Sequence, residues 1–301
     1  MRLRALLLSI ASVCLTACAH LSYLAVNVPA LFGDYRRSAD IAYGELPAQR
    51  LDLYTPTAAT QTLRPDAARP VVIFVHAGSW SGGDKNQYSF IGATLAEQGW
   101  LGVTVDYRLY PAVKFPAFVD DVALAVQYVR EHAAQWGGDR ERIYLMGHSA
   151  GAHIALMAAL DPQFLHARGG DSHWLCGVIG LAGAYDFMPF DFDYMFDLFG
   201  PAAAYPRSQP VNFARADAPP LLLLHGKSDT TVRLRNTINL AAAMQRVGGS
   251  VQTKYYEGVD HIDIVAALSI PARRRAPVLA DIAAFIDDAS TRALGAAASA
   301  Q

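Results

Sequence analysis

The sequence predicts an α/β fold, with a mostly parallel central sheet and helices packed on both of its faces. Three observations carry that reading. Apolar runs of strand length alternate with helix-length segments through most of the chain. Several of these runs are unbroken rather than alternating, as expected for strands buried on both faces. Third, Gly147-His148-Ser149-Ala150-Gly151 lies between one such strand, Arg142 to Met146, and an Ala- and Leu-rich helix, Ala152 to Leu160. A serine at that junction must occupy a tight turn that pushes its hydroxyl outward, with small residues at 147 and 151 giving the backbone room.

The other elements follow in order. Leu21 to Arg37 is expected to wrap the domain. Arg50-Leu51-Asp52-Leu53-Tyr54 alternates like an early edge strand, and Pro70 to Val75 reads as a central one. A helix over Ser89 to Gln98, stopped by Gly99, leads to a second buried strand, Trp100 to Tyr107. Phe118 to Trp136 is a long helix with Val119, Val122, Leu124, Val126 and Val129 as apolar positions, closed by Gly137-Gly138. Leu175 to Leu181, Leu221 to His225 and Val251 to Tyr256 supply the remaining strands. Helices fill Arg235 to Val247 and Val278 to Ile286.

The 301 residues, 52% hydrophobic and 17% charged, suit one well-buried domain. Its bounds are expected at 49–290, with a flexible tail at 291–301. The 27 acidic and 25 basic residues nearly balance, and no basic run is long enough for a nucleic-acid stripe. Arg273-Arg274-Arg275 reads as a solvated loop. Residues 1–17 read as a signal peptide: Arg2 and Arg4 are followed by an apolar stretch, Ala5 to Leu15, too short to span a bilayer. Leu15-Thr16-Ala17-Cys18 resembles a bacterial lipobox. Acylation of Cys18 would tether the protein to a membrane, with 18–48 as anchor and tether. The alternative is an ordinary secretory signal cleaved after Ala17 or Ala19. Ala19, rather than Asp, directs the lipoprotein reading to the periplasmic side of the outer membrane. Cys176, alone in the folded domain, can form no internal disulfide and reads as a buried core thiol.

A serine hydroxyl is a poor nucleophile without a base, and the base needs an orienting carboxylate. Two strand ends downstream supply both. Leu221 to His225 runs into a loop carrying Asp229, and Tyr255-Tyr256 into a loop carrying His261. In parallel sheets reactive groups gather beyond the C-terminal strand ends. The expected set is therefore Ser149 as nucleophile, His261 as general base and then acid, and Asp229 as the carboxylate; Asp186 is the alternative acid. Asp260 and Asp263 read as solvated or capping, and His148, His153 and His225 as packing or hydrogen-bonding residues. No metal-ligand spacing is present. Oxyanion donors are expected at the amides of Ala150, Gly78 and Ser79. The last two lie in His76-Ala77-Gly78-Ser79-Trp80, where His76 braces the loop and Trp80 packs.

Together with Ser81-Gly82-Gly83-Asp84-Lys85 and Val105-Asp106-Tyr107-Arg108-Leu109, these residues resemble the bacterial carboxylesterase branch of the α/β-hydrolases. That branch is related to hormone-sensitive-lipase-like and feruloyl-type esterases and to kynurenine formamidases. The resemblance covers Tyr35 to Ile286. It implies cofactor-free hydrolysis of small-molecule esters with short acyl groups, an arylformamide hydrolase being the nearest rival and a catalytically silent binding module a third reading. The family pattern H-G-G-x-W has Ala at 77 here, a methyl that could narrow the oxyanion loop. Residues 185–212, rich in Phe and interleaved with aspartates, are either a cap over the site or a packing segment.

Overall fold

The structure, a computed structural model, describes residues 25–57 and 68–299. Cys18 and the expected signal peptide lie outside the described residues. Among the described residues, no helix is long and apolar enough to cross a membrane.

The strands are β1 (Tyr35–Ala42), β2 (Arg50–Pro56), β3 (Arg69–Val75), β4 (Leu101–Val105), β5 (Gly138–His148), β6 (Gly177–Leu181), β7 (Leu221–Gly226) and β8 (Val251–Tyr256). They form one sheet in the order β1-β2-β4-β3-β5-β6-β7-β8. β2 pairs antiparallel with both β1 and β4, and every other neighbour is parallel.

β3 shows why the centre of the sheet reads as an unbroken apolar run. Val71, Ile73 and Val75 enter one buried cluster while Val72 and Phe74 enter the other. The pleat sends alternate side chains to opposite faces, and both faces are covered. The first cluster is closed by α2 (Ala117–His132), α3 (Ala150–Leu160), the short α4 (Pro162–His166) and α6 (Arg235–Arg246). The second is closed by α1 (Ser89–Glu97), the short α7 (Asp263–Ala266) and α8 (Val278–Ser299). α3 is buried along its whole length, so its first turn is fixed against the sheet.

Four expectations change. The sheet begins at Tyr35, so β2 is the second strand and β1 is the edge. β1 is mostly polar and exposed, with a bulge between Ser38 and Ile41, and therefore carries no apolar alternation to read. The helix from Phe118 gives way to a 3-10 turn over Ala133–Trp136, ended by Gly137 at φ 80°. α8 does not stop at Ile286 but runs to Ser299, through Ala-rich sequence of high helix propensity. Cys176 is half-buried rather than fully buried, with Sγ 3.4 Å from the Tyr144 hydroxyl and 3.7 Å from the Ala289 carbonyl.

One buried carboxylate ties the segment before β2 to the loop after β4. Asp121 on α2 is 1% exposed and accepts Gln49 Nε2 at 2.7 Å, the Arg108 amide at 3.0 Å and Arg108 Nε and Nη2 at 2.8 Å each. Removing it strands a buried amide and most of a guanidinium's partners. Asp121→Ala is therefore expected to destabilise the fold by about 3 kcal/mol. A shift in the urea midpoint at constant slope measures it; an unchanged midpoint would show that the pair adds nothing.

Candidate active site

β5 ends at His148, and Ser149 turns the chain directly into α3. Its backbone sits at φ 56° and ψ −120°, a conformation costly for any residue with a Cβ. The turn can be this tight because Gly151 has no side chain: a Cβ there would lie 2.1 Å from the Val75 carbonyl oxygen and 2.4 Å from that of His76. The end of β3 thus rests on the start of α3, backbone against backbone.

Ser149, His261 and Asp229 form one hydrogen-bonded row. Ser149 Oγ lies 2.9 Å from His261 Nε2, and His261 Nδ1 lies 2.7 Å from Asp229 Oδ2. Asp229 Oδ1 accepts the amides of Thr231 at 2.8 Å and Val232 at 2.9 Å. Burial works to raise the Asp229 carboxyl pKa, but hydrogen bonds from His225 and His261 outweigh it and hold the group well below the usual carboxylate range. An ionised Asp229 keeps a proton on His261 Nδ1 and leaves Nε2 free to receive one from the serine. Asp186 is held elsewhere, accepting Asn239 Nδ2 at 2.6 Å. Asp260 accepts the amides of Ile262 and Asp263, a turn-capping role.

The other histidines support this row. His148 Nε2 donates to the His261 carbonyl at 2.8 Å, and its ring lies 4.7 Å from that of His261. Burial, with His261 adding to it, pushes the His148 pKa down to about 3, so it sets no positive charge beside the His261 ring near neutral pH. His225 bonds Thr237 Oγ1 at 2.8 Å and the Val232 carbonyl at 2.9 Å, bracing the loop that carries Asp229. His153 accepts Trp80 Nε1 at 2.9 Å and donates Nε2 to the Ser208 carbonyl at 2.8 Å.

The loop after β3 bends sharply, with positive φ at Gly78 (137°), Ser79 (51°) and Trp80 (60°). A Cβ at Gly78 would meet the Gly82 carbonyl oxygen at 2.0 Å, so the loop closes only with glycine there. Among the described residues, the amides of Gly78, Ser79 and Ala150 donate no hydrogen bond. Ser79 and Ala150 line the same cleft as Ser149. The Ala77 methyl sits in the buried cluster with Phe74, Tyr88 and Val259, away from the cleft.

Two groups given no individual role from the sequence hold this loop. Tyr107 stacks on His76 with ring centroids 4.3 Å apart and donates its hydroxyl to the His76 carbonyl at 2.9 Å. Lys85 is buried, with Nζ 2.6 Å from Asp40 Oδ1 and 3.1 Å from Asp52 Oδ1, while its amide donates to Asp106 Oδ1 at 2.6 Å. Burial pushes the Asp106 pKa up to about 6. The runs Ser81 to Lys85 and Val105 to Leu109 carried this signal, but nothing local in them says which carboxylate meets which cation.

Residues 185–212 contain α5 (Asp193–Leu198) between irregular turns, and they serve two purposes. Phe190 and Phe199 are buried, and Phe187 stacks on Trp80 with centroids 5.6 Å apart. Phe192, Tyr194 and Met195 join Phe187 in lining the cleft. The Tyr194 hydroxyl reaches the Ser79 carbonyl at 3.3 Å, linking this wall to the loop after β3.

Three buried imidazoles set the acid sensitivity of this region. Burial lowers the pKa of His76 and of His153 to about 4 and that of His148 to about 3. The unfolded chain takes up a proton on each near pH 6.5, which the folded protein refuses until about pH 4 at His76 and His153 and about pH 3 at His148. The histidine contribution to stability is thus complete above pH 6.5 and falls as pH drops towards 4, by an amount on the order of 3 kcal/mol for each of His76 and His153, while Asp106, with its raised pKa, favours the folded state as pH falls below about 6 and offsets part of that loss. His153→Gln can keep both hydrogen bonds without titrating and is expected to flatten this fall. Urea midpoints measured from pH 7.5 to 4.5 test it; a profile flat above pH 5 would overturn the account. Ala77→Gly removes a methyl from the buried cluster, not from the cleft. It is expected to cost about 1 kcal/mol of stability and leave kcat within a few-fold. A tenfold gain in kcat would instead show a loop distorted by the methyl.

With this geometry in view, similarity to known proteins is informative. A family model described as BD-FAE matches residues 51–244. The isoprenylcysteine alpha-carbonyl methylesterase ICME of Arabidopsis thaliana is 32% identical over 251 residues, covering 76% of this chain and 57% of that protein. The probable carboxylic ester hydrolase LipM of Mycobacterium tuberculosis is 30% identical over 240 residues, covering 72% and 54% respectively. The chain thus spans little more than half the length of these two curated relatives. Esterase B from Lactobacillus rhamnosis superimposes with a TM-score of 0.78 at 22% identity, over 94% of each chain, and shares the fold. The match over most of the sheet, from β2 through α6, places the chain in the BD-FAE family.

Proposed function

We propose that this protein is a serine carboxylesterase that hydrolyses small acyl or aryl esters through an acyl-serine intermediate on Ser149. The observation that carries the reading is the row Ser149–His261–Asp229, spaced 2.9 and 2.7 Å, opening into a cleft lined by aromatic side chains. In the proposed reaction Ser149 Oγ attacks the ester carbonyl carbon while its proton passes to His261 Nε2. The carbonyl oxygen gains negative charge beside the amides of Ala150 and Ser79, and the N-terminus of α3 adds a favourable dipole. The intermediate collapses with loss of the alcohol, which takes the proton from His261. Water, activated by the same imidazole, then releases the acid and restores Ser149.

A narrow cavity of about 80 Å³ supports a small acyl group, and Phe187, Phe192 and Tyr194 support an apolar or aryl one. A lipid anchor on Cys18 belongs to the same proposal and rests on the Leu15–Cys18 motif alone.

Ser149→Ala is expected to lower kcat on p-nitrophenyl acetate by at least about 10³-fold with an unchanged circular dichroism spectrum. Asp229→Asn, which leaves His261 free to adopt the wrong tautomer, is expected to lower kcat roughly 10³–10⁴-fold. Comparable turnover by a well-folded Ser149→Ala protein would sink the reading, and a larger loss in Asp186→Asn than in Asp229→Asn would reassign the acid.

A further inference from the structure

The mouth of the cleft carries more positive charge than ester hydrolysis alone needs. Arg233 and Arg235 both line it, against a single lining carboxylate, Asp191. The two arginines differ in how they are held. Arg235 Nη2 donates to the Met188 carbonyl at 3.1 Å and so supports the 185–212 segment. Arg233 Nη2 stands 3.6 Å from Asp191 Oδ1, with both side chains about 60% exposed (63% and 59%). Such an open, solvated pair contributes little and exchanges readily for another anion.

The backbone under Arg233 is nonetheless rigid. Its carbonyl accepts both the amide and Nδ2 of Asn236, each at 3.0 Å, and Asn236 is buried. The preceding residues Thr231 and Val232 are pinned by their amides to Asp229. A planar guanidinium is thus presented from a fixed loop, four residues after the proposed catalytic carboxylate, into a cleft walled by Phe192 and Tyr194. Fixed presentation with a weak internal partner is what recognition of a carboxylate by an arginine fork requires.

We infer that Arg233 selects esters bearing an anionic group, a carboxylate at the end of an otherwise apolar acyl or alcohol portion, with Asp191 as the internal anion that such a group displaces. The inference rests on the esterase reading and names the substrate class of that same site.

Three probes test it: phenyl butyrate as the neutral ester, phenyl hydrogen glutarate with the carboxylate on the acyl side, and 4-carboxyphenyl butyrate with it on the alcohol side. The readout is the ratio of kcat/KM for each anionic ester to that for phenyl butyrate, so that a general loss of activity cancels. The expected result is a preference for one anionic probe, which also tells the side of the ester that Arg233 faces. Arg233→Gln lowers that ratio about tenfold, and Arg233→Lys, which keeps the charge but not the fork, lowers it less. Asp191→Asn raises the ratio several-fold, and added salt lowers it in the wild type. A ratio unchanged in Arg233→Gln, or no anionic preference in a wild type that hydrolyses phenyl butyrate, overturns this inference and leaves the esterase reading standing. Failure of the wild type to hydrolyse all three esters overturns both.

Discussion

The architecture depends on one contact without side chains: the carbonyls of Val75 and His76 lying against the Cα of Gly151. It brings the C-terminal end of β3 and the first turn of α3 closer than any Cβ would allow. Both amide sources of the site follow from it. Ala150 opens α3, and the loop bearing Ser79 departs from the other side of the same contact. Because α3 is buried throughout and β3 is central, neither partner can drift. The strain at Ser149 is held in place by this packing rather than by hydrogen bonds of its side chain.

A second level of restraint is electrostatic and comes from the antiparallel side of the sheet. Lys85, Asp40 and Asp52 connect the loop after β3 to β1 and β2, and Arg37 adds a guanidinium to Asp52 with Nε at 2.9 Å. Burying a lysine is costly unless carboxylates surround it, and here two strands and a loop must all be in place to supply them. The network therefore acts as a check on assembly: β1, which offers little apolar surface, is locked to the loop through charge instead. Tyr107 and His76 complete the brace by stacking, a contact that tolerates only a small range of loop positions.

Much of this was legible in the sequence, and the boundary of legibility has physical causes. β3, β4, β6 and β7 announce themselves because burial on both faces leaves only apolar residues available. Ser149 was readable because a strand-to-helix turn leaves a local signature, and Asp229 and His261 because each follows a strand end. β1 was hidden because an exposed edge strand has no apolar period and its stabilising partners are backbone amides and distant charges. The Lys85 network was hidden for a related reason: Lys85 meets Asp40 and Asp52 only because β1 pairs with β2 and the loop after β3 folds back onto both, which no window of sequence shows. The 185–212 segment resisted a single reading because its aromatic residues divide between two tasks, and composition alone does not say which ring faces inward.

That division has a consequence for how the protein can change. Phe187 packs on Trp80 and also forms part of the cleft wall, so altering it to reshape the cleft also opens a hole in the core. Phe192, 63% exposed, and Asp191 and Arg233 touch the same cleft but carry little of the fold's stability. Selectivity is thus layered: a floor whose mutations are taxed by unfolding and a rim whose mutations are nearly neutral to it. A lineage exploring new substrates would drift first along the rim, and only a variant with stability in reserve could remodel the floor.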